Sequence, residues 1–376
     1  MRWIYLDHAA TTPVRQEVLD AMMPYFSEYF GNASSIHQAG QKAKKALEDA
    51  RETVAGCIGA EPREIYFTSG GTESNNLAVK GILRANREKG RHLITSEIEH
   101  LAVLKCCRSM EDEGFRVTYL PVDTYGVVDL KALEGALGAD TVLVSVMLGN
   151  NETGTIQPIS EISNITGEKG ILLHSDAVQA IGKIRVDVDT LGVDLLSIAG
   201  HKIYGPKGIG ALYVRGGTTF ASLFHGGAHE RMKRPGTENV AFIVGFAEAL
   251  KLAKAEMGTL WERVGELRNS LERRIKERIG RTHLNGHPTQ RLPHILNMGF
   301  EAVDGESLLL TLDLEGIALS MGAACASGAS EPSHVLQAMG IEPSIARAAC
   351  GFLRDTKTRK RTSIMRWKHF PQSWRS

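Results

Sequence analysis

"EIYFTSGGTESNNLAVKGIL", residues 64–83, decides the fold class. An apolar run at Ile65–Phe67 ends in a polar glycine turn, and a helical pattern follows from Leu77. "HLITSEIEHLAVLKCCRSMEDEG" (92–114) repeats strand then helix. "VTYLPVD" (117–123), "TVLVSVMLGNNETG" (141–154), "GILLHSDAVQAIG" (170–182), "VDLLSIAGHK" (193–202) and "GIGALYVRGG" (208–217) continue the series. Apolar runs of this length, separated by helices, predict an α/β domain with a mostly parallel sheet. Residues 245–280 combine helical periodicity with abundant charge, which predicts long amphipathic helices joining two domains. "PHILNMGFEAVDGESLLLTLDLEGIALSMGAAC" (293–325) reads as strand, helix, strand and a glycine/alanine loop. We therefore expect a large domain over 13–257, and a smaller α+β domain over 1–12 and 258–376.

The totals exclude several classes. The 376 residues carry 44 basic and 43 acidic side chains. Eight of the basic residues and one acidic residue lie in the last 23, "RDTKTRKRTSIMRWKHFPQSWRS". The rest of the chain holds 36 basic against 42 acidic residues, which argues against a nucleic-acid binder. No apolar run is long enough to span a membrane, and Asp7 and His8 interrupt any signal-peptide core. The five cysteines, Cys57, Cys106, Cys107, Cys325 and Cys350, form no CxxC pair, so neither a disulfide framework nor a structural zinc is expected. Free thiols point to a reducing compartment, the cytoplasm.

Five places carry chemistry. In "TSGGTESNN" (68–76), Gly70 and Gly71 let the backbone approach a ligand and Thr72 can cap a helix whose N-terminus suits a phosphate. The same residues would serve a plain strand-to-helix turn. In "ILLHSDAVQAIG" a strand delivers Asp176 at its C-terminal end, where α/β sheets place their sites. Asp176 could pair with a protonated ring nitrogen or cap a helix over "AVQAIG", with Gln179 three residues on. Lys202 follows an apolar strand, and a lysine in a partly buried pocket can form a Schiff base, although most lysines are solvated. His100, just past a strand, could stack on a flat cofactor and shuttle protons, or be structural. Cys325 sits among small residues, a setting that favours reactivity over packing. A phosphate turn, an Asp for a ring nitrogen, a Schiff-base Lys and a stacking His together describe a pyridoxal phosphate site.

The chain resembles the cysteine desulfurases of the class V aminotransferase group of pyridoxal phosphate enzymes. The resemblance covers residues 4 to about 349. It rests on "YLDHAATTP", "GNASSIH", "TSGGTESNN", "EIEHLAV", "NNETGTIQPI", "HSDAVQAIGK", "GHKIYGPKGIG", "RPGTENV" and "CASGASEPSHVL", all in order. It implies the type I pyridoxal phosphate-dependent transferase fold. It implies that Lys202 holds pyridoxal 5'-phosphate covalently and moves protons, that Asp176 pairs with the ring nitrogen and that His100 stacks and acts as acid/base. Asn151 and Gln179 would meet the ring hydroxyl region. Gly71, Thr72, Gly200 and His201 would lie at the cofactor, with Thr237 reaching in from the second subunit of a homodimer. Cys325 would take sulfur from L-cysteine as a persulfide, leaving L-alanine, and pass it to an acceptor or iron–sulfur scaffold protein, for iron–sulfur assembly or tRNA thiolation. A selenocysteine lyase or related class V enzyme shares this site.

Three positions depart from the pattern. Ala199 stands where family members often have Ser, and "MGAAC" replaces a more usual Ser-Gly-Ser-Ala-Cys. After Ala349 the family continues with an arginine that pairs with the substrate carboxylate, and Gly351 falls in its place. Arg347 and Arg354 are near but do not match the position. "TRKRTSIMRWKHFP" (358–371) can be encoded so that its third-base frame reads Pro-Glu-Glu-Asp-Val-Asp-Tyr-Ala-Val-Glu-Ala-Phe-Pro. That is the acidic amphipathic helix the family places there. The basic tail thus reads as a frame change after Lys357, with a further small insertion or deletion near Cys350, rather than as a nucleic-acid arm; a genuine frameshift and an error in the sequence both produce it. A genuine change would leave the cofactor site intact and could leave a catalytically impaired paralogue, whereas an error would leave an ordinary enzyme.

Overall fold

The computed structural model describes residues 4–321, 332–343 and 345, and the backbone of 350–353. Its strands are β1 Ile4–Tyr5, β2 Ile65–Thr68, β3 His92–Ser96, β4 Arg116–Leu120, β5 Thr141–Ser145, β6 Leu172–Asp176, β7 Leu195–Ala199, β8 Gly210–Val214, β9 Thr282–Asn285, β10 Ile295–Phe300, β11 Ile317–Ala318 and β12 Cys350–Leu353. Seven of them form one sheet in the order β2-β8-β7-β6-β5-β3-β4. β3 to β7 pair in parallel, while β8 runs antiparallel to both β7 and β2. This is the α/β fold with a mostly parallel mixed sheet that the apolar runs predict.

β3, β5, β7 and β8 are buried along their whole length, as a sheet covered on both faces requires. One layer is built on Val54, Ile58, Ile198, Phe246 and Leu250, the other on Leu77, Ile82, Leu83, Cys107 and Met110. Cys106 and Cys107 are buried packing residues, and burial pushes the Cys106 thiol up to about 11. Because the parallel strands share one direction, β3, β5, β6 and β7 all end on one edge, and β2 ends there too. Their following loops carry the candidate site.

Residues 245–280 were expected to hold more than one helix. The structure has one, Val240–Arg278, unbroken for 39 residues because no proline interrupts it. The expected domain boundary at 257 falls inside it. The helix packs on Gln38–Ile58 at one end, and its Ile275 joins Leu296, Met298, Phe300, Leu308 and Leu312 in a separate core. β9, β10 and β12 make a three-stranded antiparallel sheet there, with Gly351 opposite Asn297. β1 pairs in parallel with β11, tying the N-terminal residues to this part of the chain.

A buried ion pair braces the segment leading to Thr237. Arg51 donates to both carboxylate oxygens of Glu230, at 2.9 and 2.7 Å, and the Phe67 amide donates to the same carboxylate at 2.9 Å. Glu230, Arg231 and Met232 have positive φ, a strained conformation for side chains of this size. Losing one member of such a pair costs about 3–5 kcal/mol, more than forming the pair contributes. Its use is therefore positional: it holds a strained loop beside β2.

Candidate active site

The glycine turn after β2 is shaped for close approach. Gly70 has φ +147°, and open space surrounds the position of a missing Cβ. A Cβ on Gly71 would meet Val178 Cγ2 at 2.8 Å, so that residue cannot carry a side chain without displacing its neighbour. The first helical bond runs from the Ser74 amide to the Gly70 carbonyl. The amides of Gly71, Thr72 and Glu73 therefore face out of the end of helix Gly71–Ala85. Thr72 is exposed at that end. Burial opposes ionisation of Glu73, but bonds from Arg234 and the Ser69 amide win and hold its carboxyl below the usual range.

Asp176 ends β6 and is 7 % exposed. Asn75 Nδ2 donates to its Oδ2 at 2.6 Å, and the Val178 amide to its Oδ1 at 2.9 Å. The expected helix over 177–182 does not form. The Lys183 and Ile184 amides both bond back to the Ala180 carbonyl, and Gly182 has φ +70°, so the chain turns repeatedly instead. Asp176 caps that turn, and Gln179 still points inward, with its Nε2 donating to the Ala9 carbonyl at 3.0 Å.

Lys202 closes the short 3-10 turn Gly200–Lys202 that follows β7. Its Nζ donates to the carbonyl of Ala9 and, at 2.8 Å, to that of Ala10. Gly200 is buried beneath it, with Ile209, Pro206 and Phe246 crowding the position of a Cβ. Burial pushes the His201 imidazole down to about 4, with Lys202 adding to the effect, and its Nδ1 lies 3.3 Å from Thr11 Oγ1. His100 caps helix Leu101–Asp112, its Nδ1 accepting from the Ala102 amide at 3.1 Å. An accepting Nδ1 leaves Nε2 to carry the proton of the neutral ring. Burial holds that ring below the usual histidine range; the Asp176 charge opposes this and Lys202 reinforces it. Both charges act on His100, so Asp176, His100 and Lys202 share one neighbourhood.

Asn151 lies on the loop after β5 with its Oδ1 buried and without a hydrogen-bond partner among the described residues. Thr237 stands apart. It lines a cavity of about 250 Å³ with Thr68, Ser69, Gly208, Arg234 and Gly236, and Lys202, Asp176 and His100 are not in that lining. Cys325 lies outside the described residues, as do Arg347 and Arg354. The chain on either side of Cys325 is nonetheless tied to the site rim. Ser320 Oγ donates to Asp7 Oδ1 at 2.8 Å, Ser333 Oγ to Glu152 Oε2 at 2.5 Å, and His334 Nε2 is 2.9 Å from the Glu99 carbonyl.

Sequence reading missed several of these groups. Asn75 sits in the quoted glycine motif, one helical turn past Gly71, and that spacing was the available signal. The carbonyls of Ala9 and Ala10 carry no side-chain signal at all. Lys183 and His294 are 3 % and 2 % exposed, and their partners lie far along the chain. Glu99 is fully buried, with Ser96 Oγ and the Met147 amide donating to Oε1 at 2.6 and 2.9 Å. Burial pushes its carboxyl up to about 8.

The aminotransferase class-V family matches residues 4–357, and the match ends within the basic run, at Lys357. The chain belongs to this family, among its cysteine desulfurases. It is 53% identical to a cysteine desulfurase IscS of Dictyoglomus turgidum over 359 residues, 96% of this chain and 91% of the relative. Among solved structures, a NifS-like protein superposes with a TM-score of 0.91 at 38% identity, covering 96% of each chain. SspA in complex with cysteine superposes with a TM-score of 0.82, also at 38% identity, over 93% of this chain and 98% of that one. Enzymes of this family depend on pyridoxal phosphate. No helix among the described residues is long and apolar enough to cross a membrane.

Proposed function

We propose that this enzyme removes sulfur from L-cysteine, releasing L-alanine, with pyridoxal 5'-phosphate held at the strand ends and Cys325 taking the sulfur as a persulfide. The observation that carries the reading is the convergence of Asp176, His100 and Lys202 beside a glycine-opened helix N-terminus. The residues fit the cofactor. The turn at Gly70–Gly71 leaves room for a phosphate, Lys202 supplies an amine, Asp176 a carboxylate for a ring nitrogen, and Asn151 Oδ1 a buried polar atom in need of a partner. When bound, the cofactor withdraws electrons from the substrate α-carbon.

The chain's own groups do the rest. The amides of Gly71 and Thr72, with His201 and Gly200, hold the phosphate. Asp176 stays fixed by Asn75 and the Val178 amide while facing the ring. Gln179 and Asn151 meet the ring hydroxyl region. Lys202 moves the proton at the substrate α-carbon, and His100 Nε2 donates or accepts at the sulfur side. Thr237 serves the site of a second subunit. Met23, Phe26, Phe30 and Ile36 are exposed on one stretch of chain, which supports a homodimer. We divide the chain at 257/258, with residues 1–12 joining the smaller part. The acceptor is a scaffold or sulfur-carrier protein, for iron–sulfur assembly or tRNA thiolation, in the cytoplasm.

Alanine release from L-cysteine by wild type and by Cys325→Ala tests the function. Alanine from wild type and little from the variant is expected. No alanine, with turnover of selenocysteine instead, would replace this reading with a selenocysteine lyase.

One observation favours a second reading, a catalytically impaired paralogue. β12 places Gly351 opposite Asn297, where the resemblance calls for a carboxylate-binding arginine. Under that reading no persulfide forms on Cys325 after incubation with cysteine, and Gly351→Arg restores it.

A further inference from the structure

Next to Gln179 lies a buried polar cluster that the mechanism above does not use. Lys183 is 3 % exposed and forms no ion pair among the described residues. Its Nζ donates to the Gln179 carbonyl at 3.0 Å and lies 3.4 Å from Gln179 Oε1. His294 Nε2 lies 3.4 Å from the same Oε1. The wall around them is rigid. Trp261 Nε1 donates to the Gly182 carbonyl at 2.7 Å, and its ring meets His294 edge-on with centroids 5.8 Å apart. A Cβ on Gly182 would strike Ala253 Cβ at 2.8 Å.

We propose that Lys183 is a positioning residue that fixes the side-chain amide of Gln179, so that its N–H end faces the cofactor site and its oxygen faces away. This rests on the assignment of Gln179 to the ring hydroxyl region. An amide can be turned end for end at little cost unless both ends are specified. Here both are. The Ala9 carbonyl can only accept, so it selects Nε2. Lys183 offers N–H donors, so it selects Oε1.

The two specifications differ in permanence. Ala9 also accepts from Lys202, the amine that engages the cofactor, so that contact belongs to a working group. Lys183 has no such second duty and stays buried. Burial and the nearby Lys202 charge both drive its amine toward the neutral form, which keeps N–H donors without placing a second cation beside Lys202. A buried lysine is an expensive way to fill space. A hydrogen-bonding task toward Gln179 accounts for it where packing would be met by methionine.

The experiment compares wild type, Lys183→Met, Gln179→Ala and the double variant. Two readouts are used: the dissociation constant for pyridoxal phosphate by equilibrium dialysis of the apo protein, and the absorption maximum of the loaded protein. Apo melting temperature controls for folding. Lys183→Met is expected to melt near wild type, to bind the cofactor about tenfold more weakly and to shift the absorption maximum by several nanometres. In the Gln179→Ala background the Lys183 change should add nothing, because its effect runs through that amide. If Lys183→Met fails to fold, Lys183→Gln, which keeps a donor, is read in the same way and should lie between wild type and Gln179→Ala. A Lys183→Met protein with unchanged affinity and spectrum, beside a Gln179→Ala protein that changes both, overturns the proposal and leaves the Gln179 assignment standing. Unchanged values in both variants overturn both. Additive effects in the double variant reduce Lys183 to a packing residue and overturn the proposal.

Discussion

Lys202 and Lys183 both lie close to one glutamine and meet different surroundings. Lys202 stands at the front, half-buried, past the end of β7, with its amine on the carbonyls of Ala9 and Ala10. Lys183 stands in the back wall, 3 % exposed, with its amine turned toward the carbonyl and side chain of Gln179. The difference teaches that residue type does not assign a role; access does. A lysine that can reach a ligand can do chemistry on it. A lysine sealed in the wall can only hold what faces the ligand. Among the carboxylates, Asp176 ends its strand next to the loops of the site, whereas Glu99 is sealed among Ser96, Met147 and its own loop.

The largest expected effect comes from the front. Lys202→Ala should lower kcat for alanine formation by at least about 10³-fold, the scale of losing a covalent catalyst, while Lys183→Met keeps measurable turnover. Equal losses in both would erase the distinction. Asp176→Asn keeps the size but not the charge, and should cost about 10²–10³-fold in kcat, as for a lost electrostatic partner. Its cofactor should still attach to Lys202, seen as a retained visible absorption band.

Sealed groups should be read through stability rather than rate. Glu99 keeps its proton in the folded chain up to about pH 8, and loses it near 4.5 once unfolded. Between those values the folded chain binds a proton that the unfolded chain has released, so Glu99 makes stability fall as pH rises. Glu99→Gln should flatten that fall in urea midpoints measured from pH 5 to 9. His174 acts in the other direction. It is buried between Ser145 Oγ and Ser197 Oγ, at 2.8 and 2.9 Å, and burial pushes its imidazole down to about 3. Below the ordinary histidine value of 6.5 the unfolded chain gains a proton that the folded chain refuses, so stability falls as pH drops from about 6.5. His174→Gln should soften this acid loss, the smallest effect of the set if other buried histidines share it.

The front was legible in the sequence because strand ends announce themselves. Asp176, His100 and Lys202 each follow an apolar run, and the glycine turn at Gly70–Gly71 stands out by composition. The back wall was not legible, because its contacts cross long stretches of chain. Lys183 meets His294 through Gln179, and nothing near residue 183 marks residue 294. The helix expected over "AVQAIG" failed for a related reason. Its pattern is helical and Asp176 caps its start, but Gly182 adopts a left-handed conformation, which turns the chain early. The single helix Val240–Arg278 runs through the expected boundary because charge marks its exposed face, not its ends.

The central claim is that the cofactor is held by the accessible lysine at the end of β7. Borohydride reduction of the protein loaded with pyridoxal phosphate, followed by peptide mass spectrometry, tests it most directly. The cofactor's mass is expected on the peptide carrying Lys202 and on no other lysine. Attachment at Lys183 or Lys207, or no attachment at all, would contradict it.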